Sequence, residues 1–411
     1  MPKEEIIVGL DIGSHKIRTI VSRVDFETEK PQIIGLGESF SNGIRRGVVV
    51  DVEEATSSIS SSIEKAERTS GVPIEHAFIS VGGSHVISEN SKGVIAVGRA
   101  DNEITEDDVS RSIDAASAIS LPPNHEILHV VPRYFIVDNQ EGIKDPIGMN
   151  GVRLEVEAVI VEGATSYIKN LTKCIARAGI EIDDLIVSPL AASYSVLSKK
   201  QKELGVVLVD IGGGTTGLVV YEEGDLMTVS VLPIGSEHIT NDLAIGLRTS
   251  IEDAERIKLE YGVAVTSDID KRDEVDLSKI VGGEPQLVAR KKIVEIIEAR
   301  LSEMFSMIDK ELRKIDRSGK LPAGIVLCGG GAKLPNIVDL AKKELRLPAQ
   351  IGFPESIPGV VDKMDDPSYA TPEGLIMWGL SHVEERKDVP GISSMGNTVD
   401  KIKGWFKTFL P

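Results

Sequence analysis

The chain has 411 residues, 41% of them hydrophobic, and a formal net charge of −18. That length asks for two or more domains, and the hydrophobic content supplies their cores and excludes global disorder. The acidity excludes nucleic acid as a partner, because a phosphate backbone needs a basic face. The two cysteines, Cys174 and Cys328, lie too far apart in sequence to frame a disulfide or zinc scaffold.

In chain order, Pro2 to Glu5 is polar, so no secretory leader is expected. No run approaches the roughly 18 consecutive apolar residues of a spanning helix, so any membrane contact is expected to be peripheral. The first element is a buried-strand pattern, Ile6 to Leu10, ending in Asp11. A turn follows at Gly13-Ser14-His15-Lys16, then a second apolar run, Ile17 to Val21. Between Val81-Gly82-Gly83 and Val159 to Glu162 lie about 75 residues with their own strands and a helix near Glu106 to Ala118. They read as an insertion. Pro189 to Ser195 is a helix rich in small residues, fit for a close crossing.

The first pattern then returns. Val206 to Val209 leads to Asp210, the turn Gly212-Gly213-Gly214-Thr215-Thr216, and the run Leu218 to Tyr221, 199 residues after the first copy. Duplicated halves are the natural reading. A strand-turn-strand tip with glycines bares consecutive backbone N–H groups to a phosphate. An aspartate at the strand end can hold Mg²⁺ through waters. One such hairpin alone is more often an ordinary tight turn. Two of them facing each other would grip one nucleoside triphosphate, with Gly13 to Lys16 and Gly212 to Thr216 on phosphates and Asp11 and Asp210 on the metal.

Further along, Glu255 and Lys258 stand one helical turn apart, which unaided reads as a solvated ion pair. Arg290 to Leu301 is a basic helix with an apolar stripe of Ile293, Ile296, Ile297 and Leu301. Ala323 to Cys328 is a strand feeding Gly329-Gly330-Gly331, with a helix from about Pro335. Alone it is equally a plain strand-to-helix connection; beside two phosphate turns it reads as a flat backbone platform for adenosine. Ala370 to Leu375 is a second small-residue helix.

The end of the chain changes character. Glu384 to Asp388, Pro390-Gly391 and Ser393-Ser394 have a linker's composition. Asn397 or Thr398 can cap a following helix. In it Val399, Ile402, Trp405, Phe406, Phe409 and Leu410 fall within an arc of about 140°. Lys401 and Lys403 border that face; with Lys407 and Asp400 they give the segment a charge of +2. An amphipathic anchor on anionic lipid is expected, the alternative being a helix docked on the protein's own core.

These elements, in this order, resemble the superfamily of actin, sugar kinases and heat-shock-chaperone ATPases. Longer stretches resemble the bacterial cell-division family FtsA: Asn42 to Asp51, His129 to Phe135, Gln140 to Met149, Leu190 to Leu197 and Asp253 to Gly262. The likeness runs from about Glu5 to Glu384 and resumes in the terminal helix. It implies an α/β, actin-like, duplicated ribonuclease-H-like fold with a nucleotide cleft between its halves, an FtsA-type inserted subdomain and a C-terminal amphipathic helix. The implied boundaries are 1–83 with 162–200 for the first half, 84–161 for the insert, and 201–238 with 305–385 for the second half. The second half's own subdomain is 239–304, the linker 386–396 and the membrane helix 397–411.

The resemblance also implies ATP and Mg²⁺ as ligands, Glu255 and Lys258 on adenosine and ribose, and Gly235 in the nucleotide site. It implies filaments of the chain itself, on the cytoplasmic membrane face at the division site. The subdomain holding Arg290, Lys291, Lys292 and Arg300 would take the C-terminal tail of the tubulin-like FtsZ partner. The insert would recruit later division proteins, though an insertion serving only stability is the plainer alternative. Two other classes remain: a pilus-assembly actin homologue and a sugar-kinase-type phosphotransferase, for which no acidic base is evident. At the position where relatives place a water-orienting glutamine or acid stands Ser188 or Pro189, so at most slow ATP hydrolysis is expected.

Overall fold

The computed structural model describes residues 4–25, 30–98, 101–267, 269–270, 272–282, 286–355, 357–359 and 365–388. The start of the expected linker, 386–388, instead continues the helix Ala370–Asp388, and the rest of it, with the amphipathic helix at 397–411 and all of its membrane-facing residues, lies outside the described residues.

Two five-stranded sheets share one topology. In the first half the sequentially first three strands, Glu4–Ile12, Lys16–Asp25 and Pro31–Phe40, form an antiparallel meander. His76–Val81 and then Glu181–Val187 add in parallel on the other side of the first strand. In the second half Val206–Ile211, Thr216–Glu222 and Asp225–Leu232 form the meander, and Gly324–Cys328 and Ala349–Ile351 extend it in parallel. Both sheets therefore read third-second-first-fourth-fifth. Their first strands are continuous apolar runs because helices cover both faces: Ile7, Val8 and Leu10, like Val206 to Val209, are buried.

Helix Val52–Ser70 follows the first meander. Asp51 caps it by accepting the N–H groups of Glu53 and Glu54 (2.9 and 3.0 Å), and Gly71, in the left-handed region, ends it. Its counterpart in the second half is expanded into a subdomain built on Ser236–Leu247, Ile251–Tyr261 and the 25-residue helix Arg290–Lys314. Each half then closes on a helix that runs beneath the cleft: Ser188–Val196 in one, Ala370–Asp388 in the other. The two cross at Gly374, where an added Cβ would lie 1.9 Å from the Ala191 carbonyl oxygen. Only glycine permits that approach.

The insert leaves the first half after His76–Val81. It forms a separate sheet in the order Ile87–Ala96, Arg153–Ala164, His125–Val137, Gln140–Ile143, backed by helix Glu106–Ser117. A core of its own, including Ile104, Ile113, Phe135, Leu154 and Ile160, holds it together. It also touches the far edge of the second half. Ser88 Oγ donates to the Val229 carbonyl (2.8 Å) and accepts its N–H (3.0 Å), Arg133 Nη2 reaches Met227 Sδ (2.9 Å), and Lys144 pairs with Asp225.

Candidate nucleotide site

The two glycine hairpins meet tip to tip. In each, the aspartate sits one pair before the last: Asp11 opposite Arg18 with Ile12 opposite Ile17, and Asp210 opposite Gly217 with Ile211 opposite Thr216. The tip of the first hairpin is Gly13-Ser14-His15; that of the second is Gly212 to Thr215. A Cβ on Gly213 would lie 2.8 Å from both His15 Cβ and Glu237 Oε1, and one on Gly214 would lie 2.8 Å from Ser14 Oγ. His15 Nδ1 also stands 3.4 Å from Glu237 Oε1 across the gap.

Below the tips the two carboxylates are half-buried. Ser80 Oγ donates to Asp11 Oδ1 (2.8 Å) while accepting the Ile12 N–H (2.8 Å). Burial pushes the Asp11 carboxyl above its usual range, against the pull of Arg18 and Ser80. Asp210 accepts one hydroxyl, from Thr371 (3.1 Å), and is pushed up to about 6 by burial and then by the neighbouring Asp11. Two half-buried carboxylates that repel each other are a fitting seat for a divalent cation, whose charge would relieve both burial and repulsion.

The third turn closes over the second hairpin. Gly329 has φ +80, and a Cβ there would lie 2.1 Å from Asp210 Oδ1; one on Gly331 would lie 2.4 Å from Ile211 Cγ2. A Cβ on Gly330 would meet nothing within 4 Å, so this residue presents bare backbone to the cleft. Gly235 has a different place. Its Cα lies against the Gly212 and Gly213 carbonyls, and the N–H groups of Ser236 and Glu237 donate to those same carbonyls (2.9 Å each). It shapes the back of the turn.

Several side chains depart from their sequence reading. Thr216 is fully buried and donates its hydroxyl to the Ile234 carbonyl (2.7 Å), so it serves the sheet, because strand alternation points it inward. Lys16 Nζ is drawn to Glu38 (3.2 Å). Glu255 and Lys258 are not the solvated pair that spacing alone suggests. Lys258 is buried, its Nζ 2.6 Å from Glu255 Oε2 and 2.9 Å from Thr240 Oγ1. Burial would raise the Glu255 pKa, but Lys258 and Thr240 hold it below the usual range.

The basic helix is a helix, yet Ile293, Ile297 and Leu301 face the subdomain core, so the stripe offers no open groove. Arg300 is held by Asp242 (2.5 and 2.9 Å) and Glu303, Arg290 by Asp273 (3.2 Å), and Lys291 lies 3.6 Å from Glu295. Lys292 is exposed.

Residues that sequence reading passed over include Arg18, Glu38, Thr371 and Tyr369. Arg18 donates to Glu38 (2.8 Å) and Ser368 (3.2 Å) and lies over the Tyr369 ring, and the Tyr369 hydroxyl donates to Glu38 (3.2 Å). This network ties the floor of the first half to the segment that opens the second crossing helix. Counting outward from the first turn places Arg18 opposite Asp11, a signal available in the sequence. Ser188 donates its hydroxyl to the Val81 carbonyl (3.1 Å) and Pro189 packs on Gly217, so neither is placed to orient a water.

Comparison with known proteins adds the relatives. Residues 207–374 match a family model described as cell division protein FtsA, and residues 83–162 match one described as an SHS2 domain inserted in FtsA. The cell division protein FtsA of Borreliella burgdorferi is 40% identical over 98% of each chain. That of Pseudomonas aeruginosa is 37% identical, over 98% of this chain and 97% of its own. Among solved structures, a chain of the PilM-PilN type IV pilus biogenesis complex superposes with a TM-score of 0.68 at 16% identity, covering 92% of this chain and 99% of that one. MreB5 of Spiroplasma citri bound to ADP gives 0.56 at 14% identity, covering 95% and 100%. At such identities the solved structures speak for the fold alone, which is actin-like. Among the described residues no helix is long and apolar enough to cross a membrane.

Proposed function

The chain belongs to the FtsA family of cell division proteins, and from that premise we propose that it is an ATP-binding polymer on the cytoplasmic face of the membrane at the division site. One observation carries the nucleotide part: two hairpins of matching register, each with its aspartate behind a glycine tip, meet across a cleft that a third glycine turn closes. Mg²⁺ is held through waters by Asp11 and Asp210, the phosphates lie on the backbone of Gly13 to His15 and Gly212 to Thr215, and the base lies along Gly330-Gly331. Glu255 and Lys258 reach the ribose and adenine side. With Ser188 and Pro189 occupied elsewhere, ATP serves chiefly to order the cleft and favour assembly, and it turns over slowly.

The partners follow from the family. The subdomain of the second half takes the acidic FtsZ tail, with Lys292 and Lys291 as cations beside the exposed Leu287. The insert recruits later division proteins, and residues 397–411 attach the polymer to anionic lipid, many weak tails acting together. Identities of 37 and 40% over nearly the whole chain weigh against the pilus-assembly reading, whose structural likeness stands at 16%.

The test has two arms. Gly213→Val, which sets a branched side chain against His15 and Glu237, should weaken Mg-ATP binding in calorimetry by more than about 100-fold with an unchanged circular dichroism spectrum. Unaltered binding would overturn the phosphate assignment. Removing residues 397–411 should leave ATP binding intact and stop co-sedimentation with phosphatidylglycerol vesicles; a truncated chain that still pellets would overturn the anchor.

A further inference from the structure

The stretch Asn42 to Asp51, set apart in the sequence but given no task, forms a small hairpin. Ile44–Arg45 pairs with Val48–Val49, leaving Arg46 and Gly47 as its two-residue turn. Both have positive φ, +48 and +74. A turn of this hand favours Asn-Gly or Gly-Gly, and an arginine in its first position is strained. The fold tolerates that strain at a particular place. Gly47 donates its N–H to Ser14 Oγ (2.9 Å) and packs so tightly that a Cβ would lie 2.5 Å from the Gly83 nitrogen. Arg46 Cα faces Gly214, lying 3.1 Å from where that residue's Cβ would be. The tip is thus wedged against both phosphate turns at once.

The charge around the cleft completes the case. Lys16 and Arg18 are turned to Glu38, and Lys258 to Glu255. Among the described residues Arg46 has no carboxylate partner, and its side chain is exposed. A nucleoside triphosphate brings more negative charge than one Mg²⁺ removes, and its terminal phosphate would arrive between the two tips.

We propose that Arg46 is the guanidinium that binds the terminal phosphate of the bound nucleoside triphosphate, and so lets the protein distinguish triphosphate from diphosphate. This rests on the nucleotide reading of the cleft. Arg248 and Arg346 also take positive φ, at helix ends, so it is the wedged position of Arg46 between the two phosphate tips that this contact accounts for. Guanidinium also matches phosphate geometry in two parallel hydrogen bonds.

The experiment uses the full chain with Mg-ATP and Mg-ADP in calorimetry. Arg46→Asn removes the cation while keeping a residue that suits the turn, Arg46→Lys restores the charge, and Arg45→Ala is the neighbouring control. Arg46→Asn should weaken ATP by about 10- to 100-fold and ADP by less than about 3-fold. Arg46→Lys should recover most of the ATP loss, and Arg45→Ala should leave the ratio of the two affinities unchanged. Equal losses for ATP and ADP, no loss, or a selective loss in Arg45→Ala would each overturn the assignment. A wild-type chain that binds neither nucleotide would instead overturn the nucleotide reading, and this inference with it.

Discussion

The halves share one backbone plan but treat buried charge differently. In the first, Asp11 stands opposite Arg18, which is itself braced by Glu38, and its hydroxyl donor Ser80 sits on the adjacent strand. In the second, Asp210 stands opposite Gly217 and has one hydroxyl, from Thr371. The crossing helices repeat the contrast. In Ser188–Val196, Ser193 meets the Tyr221 hydroxyl (2.9 Å) and Ser195 donates to the Ala370 carbonyl (2.6 Å). In Ala370–Asp388, Glu373 is fully buried with neither carboxylate oxygen hydrogen-bonded among the described residues. Duplication preserved the geometry and let the electrostatics diverge, so the second half holds the buried carboxyl groups with fewer partners, whose ionisation is the more costly.

The largest expected effect tests that contrast at Glu373. Burial pushes its pKa up to about 8 from an ordinary 4.5. Between those values the folded chain keeps a proton that the unfolded chain releases, so this group's contribution is fully present below about pH 4.5. It is lost progressively as pH rises to about 8 and is flat above. Urea unfolding of Glu373→Gln should match wild type near pH 4.5 and exceed it by about 3–5 kcal/mol at pH 8 and above. A gap that does not widen with pH would mean that Glu373 is compensated after all.

Next in size comes the pair of aspartates in nucleotide-free protein. Asp210→Asn should stabilise more than Asp11→Asn, by about 1–2 kcal/mol at pH 7.5, because Arg18 stands directly opposite Asp11 and not opposite Asp210. Equal effects would show that Arg18 does not favour one carboxylate over the other. The smallest effect compares the hydroxyl donors. Thr371→Val and Ser80→Ala should each cost about 1 kcal/mol in thermal unfolding at pH 7.5, the former more, since Asp210 has no cation opposite it. The reverse order would erase the distinction between the halves.

The sequence made the hairpins legible because both signals are local: an apolar run fixes the strand, and glycines after an aspartate fix the turn. The insert was legible from a stretch of about 75 residues with its own strands and helix, but Val159 to Glu162, which bound its far end in the sequence, lie inside Arg153–Ala164, a strand of the insert's own sheet. What stayed hidden depends on partners distant in sequence. Nothing near Lys258 announces that Thr240, eighteen residues earlier, buries and binds it. The stripe Ile293, Ile297, Leu301 correctly indicates a buried helix face, but periodicity does not say what covers it, and here the cover is the protein's own core. Arg46 escaped for a third reason: a strained φ leaves no mark on residue spacing.

The insert is rooted in the first half, yet Ser88, Arg133 and Lys144 lean on the edge strand of the second. It is therefore a strut between the two halves. Any change in the angle between the halves must either carry this strut along or strip it from Asp225, Met227 and Val229. A three-point linkage of this kind has no motion that leaves all its joints as they were.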